Sequence, residues 1–132
     1  MTNLSADQCA VINDLNYGYV ATLMADGSPH VTPVWVESDS DRLYFTTVHG
    51  RLKERNLRRD PRVAIAIVDR HDAEARQVLI RGRVVDIRED VRLQRTDRLA
   101  KRYLNLERFP WMAEGQVRVF VTVEPDCVGG SL

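Results

Sequence analysis

Apolar residues in this chain fall into six short runs of strand-like length, several of them alternating, while helical spacing appears in three places. Ser5 can cap a helix over residues 6–16, where Cys9, Val11, Ile12 and Leu15 recur at helical intervals before Tyr17 and Gly18 end it. The first strand runs over 19–24. Ala25-Asp-Gly-Ser28 then gives a hairpin turn, because Asp-Gly readily takes the positive φ such turns require. Residues 29–36 return as the second strand. Pro33 within it cannot donate a ladder hydrogen bond, which places it at an edge or a bulge. A polar turn over 37–42 leads to a third strand at 43–48.

The segment 51–59 reads as a short helix stopped by Asp60-Pro61. Val63-Ala-Ile-Ala-Ile-Val68 is nearly continuous in apolar residues, as expected of a strand covered on both faces. Residues 69–75 form a loop. A long strand follows over 77–87, with Gly82 marking a bend or bulge. Residues 88–106 are strongly charged, yet Val91, Leu93, Leu99, Tyr103 and Leu106 define a packed side, so an amphipathic helix is predicted. Phe109-Pro-Trp-Met112 breaks the pattern, and the last strand alternates over 117–124 ahead of Pro125. Six strands in hairpin order with few helices predict a mainly β fold, a small antiparallel barrel with flanking helices, because closure removes exposed edges. With no repeat and no linker, residues 1–132 read as a single domain.

Composition narrows the class. The chain has 132 residues, 44% hydrophobic and 29% charged, with zero formal net charge and a sequence pI near 6.8. That balance argues against broad nucleic-acid or membrane-surface binding, which needs a basic field. No basic-then-apolar leader opens the chain and no run approaches a membrane span, so a cytoplasmic protein is expected. Cys9 and Cys127, far apart and without metal-ligand spacing, read as two free thiols in a reducing compartment.

The usual catalytic signatures are missing: no Walker loop, no dinucleotide glycine fingerprint, no zinc-type cysteine pairs and no nucleophile elbow. His30, His49 and His71 are scattered, so no metal site is assigned, and no local motif supports a Ser/His/Asp triad. What stands out is Arg51-Leu-Lys-Glu-Arg-Asn-Leu-Arg-Arg-Asp-Pro-Arg62, with six basic residues in twelve positions of a neutral chain. Free N–H groups and the dipole make a helix N-terminus an anion site. Arg51 and Lys53 in the first turn are unfavourable there without a counter-charge. Arg58, Arg59 and Arg62 suit the dipole at the other end and need no ligand. On residue chemistry alone, a phosphate site and a solvated charged face with Glu54 and Asp60 pairing locally are equally open.

These residues resemble those of the pyridoxamine-phosphate-oxidase-like flavin and deazaflavin proteins, an FMN-binding-like family of split β-barrels, and within it the coenzyme F420-dependent branch. The resemblance is carried by Gly18-Tyr-Val-Ala-Thr-Leu, Asp26-Gly-Ser-Pro-His-Val, Leu43-Tyr-Phe-Thr-Thr, the 51–63 segment with its Lys-x-x-Asn-Leu-x-x-Asp-Pro run, and Ile80-Arg-Gly-Arg-Val. It implies a six-stranded antiparallel split barrel that forms a homodimer, with cofactor clefts at the subunit interface and a small-molecule substrate. Arg51 and Lys53 would hold the cofactor phosphate, with Asn56 on the same helix. Thr46, Thr47 and Val48 would line the approach, Thr32, Pro33, Val34 and Trp35 would flank the ring, and Gln77 and Val78 would come from the partner.

Alternating strands often bury Trp, so Trp35 reads as core ahead of a ring-stacking residue, and Asn56 could equally cap or pack. A single Arg-x-Lys pair, where FMN-binding members carry more phosphate ligands, favours coenzyme F420 over FMN; Arg55, Arg58 and Arg59 would suit a carboxylate-bearing tail. The implied activity is hydride transfer between the deazaflavin and an unsaturated organic substrate. The alternatives are an FMN oxidoreductase and a non-catalytic flavin, deazaflavin or haem carrier. A bound water and Tyr17, Tyr44 or His30 are equally open as proton donors, with no catalytic acid assigned.

Overall fold

A computed structural model describes residues 3–132; Met1 and Thr2, at the start of the stretch read as lacking a leader, lie outside it. Three helices, α1 (Ala6–Ile12), α2 (Leu52–Arg59) and α3 (Gln94–Leu104), flank seven strands: β1 (Gly18–Leu23), β2 (Pro29–Val34), β3 (Val36–Ser38), β4 (Leu43–Val48), β5 (Arg62–Val68), β6 (Gln77–Glu89) and β7 (Arg118–Gly129). All pairings are antiparallel, in the order β2-β1-β5-β6-β7-β4-β3. The two edge strands, β2 and β3, are consecutive in sequence with only Trp35 between them. The sheet therefore curls until its edges meet, and the chain itself closes the half-barrel at that corner. Phe45, Leu43, Val36, Ile65, Ile67, Val78, Ile80, Val121 and Val123 fill the interior together with Val11 and Ile12 of α1.

The predicted strand over 29–36 thus divides, giving seven strands where six were expected. Beyond Val34 the backbone turns away from β1 to pair with β4. The corner is held by α3, whose Tyr103 hydroxyl accepts the Val36 N–H at 3.2 Å and donates to the Asn16 carbonyl at 2.6 Å, while Arg102 donates to the Val36 carbonyl at 2.5 Å. Glu37, read as part of a polar turn, is buried and takes Arg95 and Arg98, each at 2.7 Å. The turn proper begins at Asp39, whose Oδ1 accepts the N–H groups of Asp41 and Arg42.

Helix boundaries differ from the pattern for similar reasons. α1 stops at Ile12 because Asn13 turns its side chain to the β3 edge, bonding the Ser38 N–H and carbonyl, and Asn16 is drawn inside. Its start is as predicted: Ser5 and Gln8 form a reciprocal capping box. Arg88 and Glu89 continue β6 instead of opening a helix, since they pair with Phe120 and Val119 of β7. Buried Asp90 then caps α3 at the Arg95 and Thr96 N–H groups. Gly82 lies at a bulge opposite Pro125, and a Cβ there would sit 2.3 Å from the Glu124 carbonyl oxygen. β5 is covered on one face only: Val63, Ile65 and Ile67 point inward, while Ala64 and Ala66 lie half-buried on the outer face beside exposed Tyr19, Val31 and Leu79. Both cysteines are free, and among the described residues no helix is long and apolar enough to cross a membrane.

Candidate functional site

Strand β4 ends in Thr46, Thr47 and Val48, and the chain reverses through His49-Gly50 into α2. Gly50 adopts φ +89°, which a side chain would strain, and Arg51 occupies the cap position with no side-chain bond to the helix. Nearby, buried Glu54 accepts the Gly50 N–H at 2.6 Å and is flanked by His49 at 3.0 Å and Arg58 at 3.1 Å. Burial pushes this carboxyl up, but the Gly50 N–H, His49 and Arg58 together outweigh it and hold it below the usual glutamate value. The turn is thereby pinned and the helix N-terminus is aimed into a cleft, with first-turn N–H groups that the helix ladder leaves unpaired.

That cleft, about 310 Å³, is lined by two kinds of side chain. At one end stand Arg51, Lys53 and Arg118 with Thr46 and Thr47; at the other, Tyr17, Trp35, Phe109 and Trp111. Lys53 Nζ is 3.5 Å from Thr47 Oγ1, and Arg118 donates to Thr46 Oγ1 at 2.9 Å. Among the described residues none of the three cations forms an ion pair. Burial, and then repulsion from Arg51 and Arg118, pull the Lys53 ammonium below the ordinary lysine range. Burial and Arg51 lower Arg118 likewise. The Nε of Arg118 is buried with no partner. Three like charges, two of them (Lys53 and Arg118) partly desolvated, and short of acceptors, are unfavourable alone and fit a bound anion.

The aromatic end is ordered by packing. Trp35 stacks on Tyr103 with centroids 5.2 Å apart and planes 6° from parallel, and Phe109 meets its edge at 5.7 Å. Trp111, 62% exposed, completes the wall against Phe109 at 5.6 Å. Such a surface suits a flat ring.

Of the residues singled out in the sequence, Thr46, Thr47, Val48, Arg51, Lys53, Pro33, Val34 and Trp35 share this one cleft. Thr32 sits on β2 with its buried hydroxyl unpartnered, outside the lining. Asn56 is wholly buried, donating to Thr22 at 3.0 Å and accepting from Arg59 at 2.6 Å, so it anchors α2 to β1. Gln77 and Val78 begin β6 away from this chain's cleft, and the Val78 side chain is in the core. Arg118, Phe109 and Trp111 complete the cleft without having been singled out as site residues. A signal for them existed: an arginine opening an alternating strand, after a Phe-Pro-Trp stretch too apolar for a loop without a function.

A family model described as pyridoxamine 5′-phosphate oxidase matches residues 5–127. No curated protein matches the chain. Among solved structures, an F420 reductase is 30% identical with a TM-score of 0.81, the match covering 91% of this chain and 94% of that one. A conserved hypothetical protein from Mycobacterium tuberculosis is 26% identical with a TM-score of 0.73, covering 95% and 82%. General Stress Protein 26 from Bacillus anthracis, 20% identical over 92% and 88% with a TM-score of 0.67, shares the fold.

Proposed function

The chain belongs to the pyridoxamine 5′-phosphate oxidase family, and from that premise we propose that it is a coenzyme F420-dependent oxidoreductase acting on a small unsaturated organic substrate. The observation that carries the proposal is the cleft itself: around a helix N-terminus stand three cations that form no ion pair among the described residues, and the cleft opens onto an aromatic wall. The first group fits a phosphate and the second a flat ring. The likeness to an F420 reductase supports the deazaflavin over FMN. Of the arginines that suit a carboxylate-bearing tail, Arg55 is exposed, whereas Arg58 is engaged by Glu54, and Arg59 by the Leu23 carbonyl and Asn56.

When bound, the deazaflavin supplies the hydride; the protein supplies position, dryness and electrostatics. Arg51 and Lys53 hold the phosphate with the first-turn N–H groups of α2. Pro33, Val34 and Trp35 form the ring wall, and Phe109 with Trp111 keeps water from it. Of the three candidate proton donors, Tyr17 lines the cleft, whereas the Tyr44 hydroxyl donates to Asp39 at 2.9 Å and His30 lies outside the lining. Tyr17 is therefore the side chain placed to deliver a proton to the reduced substrate. A homodimer is supported by the open apolar outer face around Tyr19, Ala64, Ala66 and Leu79. Only Gln77, of the pair expected from a partner, has a side chain free to reach across.

The test is steady oxidation of reduced F420 by an added enone or quinone in the presence of the protein. Turnover above the protein-free rate is expected; tight binding with no turnover would replace the enzyme by a carrier.

A further inference from the structure

The last strand brings to the cleft an arginine whose bonding capacity is only partly met. Arg118 opens β7 directly across from Val48, one terminal nitrogen donates to Thr46 Oγ1 at 2.9 Å, and its guanidinium lies 4.6 Å over the Phe109 ring. Its Nε is buried and unpartnered. Asp90, whose negative charge reaches it, is committed to the Arg95 and Thr96 N–H groups. Arg51, which together with Lys53 shares the cleft with it, repels it. A guanidinium carries five donors in a rigid fork matched to phosphate oxygens, and leaving one buried without an acceptor is unfavourable. A structural arginine would close on a carboxylate; this one faces two other cations across a cavity.

We propose that Arg118 is a third ligand of the phosphate, and that it makes the cleft select phosphorylated over phosphate-free forms of the cofactor. The identity of that cofactor rests on the reading above, whereas phosphate recognition by Arg118 does not. Its position on β7 gives the anion contacts from two directions, α2 and the sheet, so a phosphate is gripped between elements and not merely attracted to one helix end. Thr46, already bonded to Arg118, holds the fork in place.

The experiment uses the full chain as wild type, Arg118→Gln and Arg118→Lys. Each is titrated with two ligand pairs that differ by their phosphate: FMN against riboflavin, and coenzyme F420 against its phosphate-free deazariboflavin core. Arg118→Gln is expected to weaken the phosphorylated member of whichever pair binds by roughly ten- to a hundredfold, with less than a twofold change for the phosphate-free member. Arg118→Lys, which keeps the charge but loses the fork, should fall between. In parallel, inorganic phosphate should raise the melting temperature of the wild type clearly more than that of Arg118→Gln. This arm decides the matter even if neither cofactor binds. Without ligand, Arg118→Gln should melt at or above the wild-type temperature, since it relieves repulsion. Equal loss for both members of a pair, unchanged affinity for the phosphorylated member, or an undiminished phosphate shift in Arg118→Gln would overturn the proposal.

Discussion

The two ends of α2 carry nearly the same charge and do opposite things with it. At the C-terminal end every arginine is spoken for: Arg58 closes on Glu54 at 3.1 Å, Arg59 bridges the Leu23 carbonyl and Asn56, and Arg62 grips Asp60 at 2.7 Å. At the N-terminal end Arg51 and Lys53 face a third cation, Arg118, and among the described residues no carboxylate closes an ion pair with any of them. The dipole explains half of the contrast, since cations suit one end and oppose the other. Unmet bonding capacity explains the rest. A cluster of charge marks a ligand only where its own protein leaves it unneutralised.

The contrast can be broken most severely at its ligand-facing end. Arg51→Ala and Lys53→Ala should each weaken the cofactor by roughly 1.5–3 kcal/mol, about ten- to a hundredfold, read by calorimetric titration with folding unchanged. The next effect is on stability. Glu54→Gln removes the buried carboxylate that pins the Gly50 turn and should cost about 2 kcal/mol in denaturant unfolding. Because that carboxyl titrates below its ordinary value in the folded protein, its contribution is complete above the ordinary value and lost as the pH falls through the folded one. Glu54→Gln should therefore flatten the acid limb of the stability profile.

A smaller effect sharpens the N-terminal end. Lys53 is held below the ordinary lysine value of 10.5, so its proton leaves early as the pH rises and anion affinity should decline a few-fold on the alkaline side. Lys53→Arg should remove that decline, since the guanidinium stays charged. Arg62→Ala should do least, leaving cofactor affinity and melting temperature unchanged, because Arg62 is itself exposed and its pair with the half-buried Asp60 lies at the surface. A marked loss of affinity there would erase the distinction between the two ends.

Much of this was readable in the residues. Alternation and turn chemistry locate every strand but the short β3, together with the 26–27 hairpin and the Gly82 bulge. In the 51–62 segment the structure sets Arg51 and Lys53 at the helix start and gives Arg58, Arg59 and Arg62 partners within the protein. What escaped was set by contacts distant in sequence. The strand over 29–36 splits at Trp35 because two sheet edges meet there, which no local pattern encodes. Arg88 and Glu89 look helical by charge, yet they pair with β7. Arg118 is 65 residues beyond Lys53 and only the register of β4 with β7 brings it beside Thr46. Asn56, which the resemblance sets on the cofactor helix and which the residues alone leave free to cap or pack, takes the packing course and is bonded to Thr22 inside the protein.

The most direct measurement is a paired titration of the wild-type protein with coenzyme F420 and FMN, repeated with Arg51→Ala. The account predicts micromolar or tighter binding of F420, weaker binding of FMN, and a clear loss in the variant. Tight FMN binding with none of F420 would contradict the choice of cofactor, and an Arg51→Ala variant that binds as well as wild type would contradict the anion site itself.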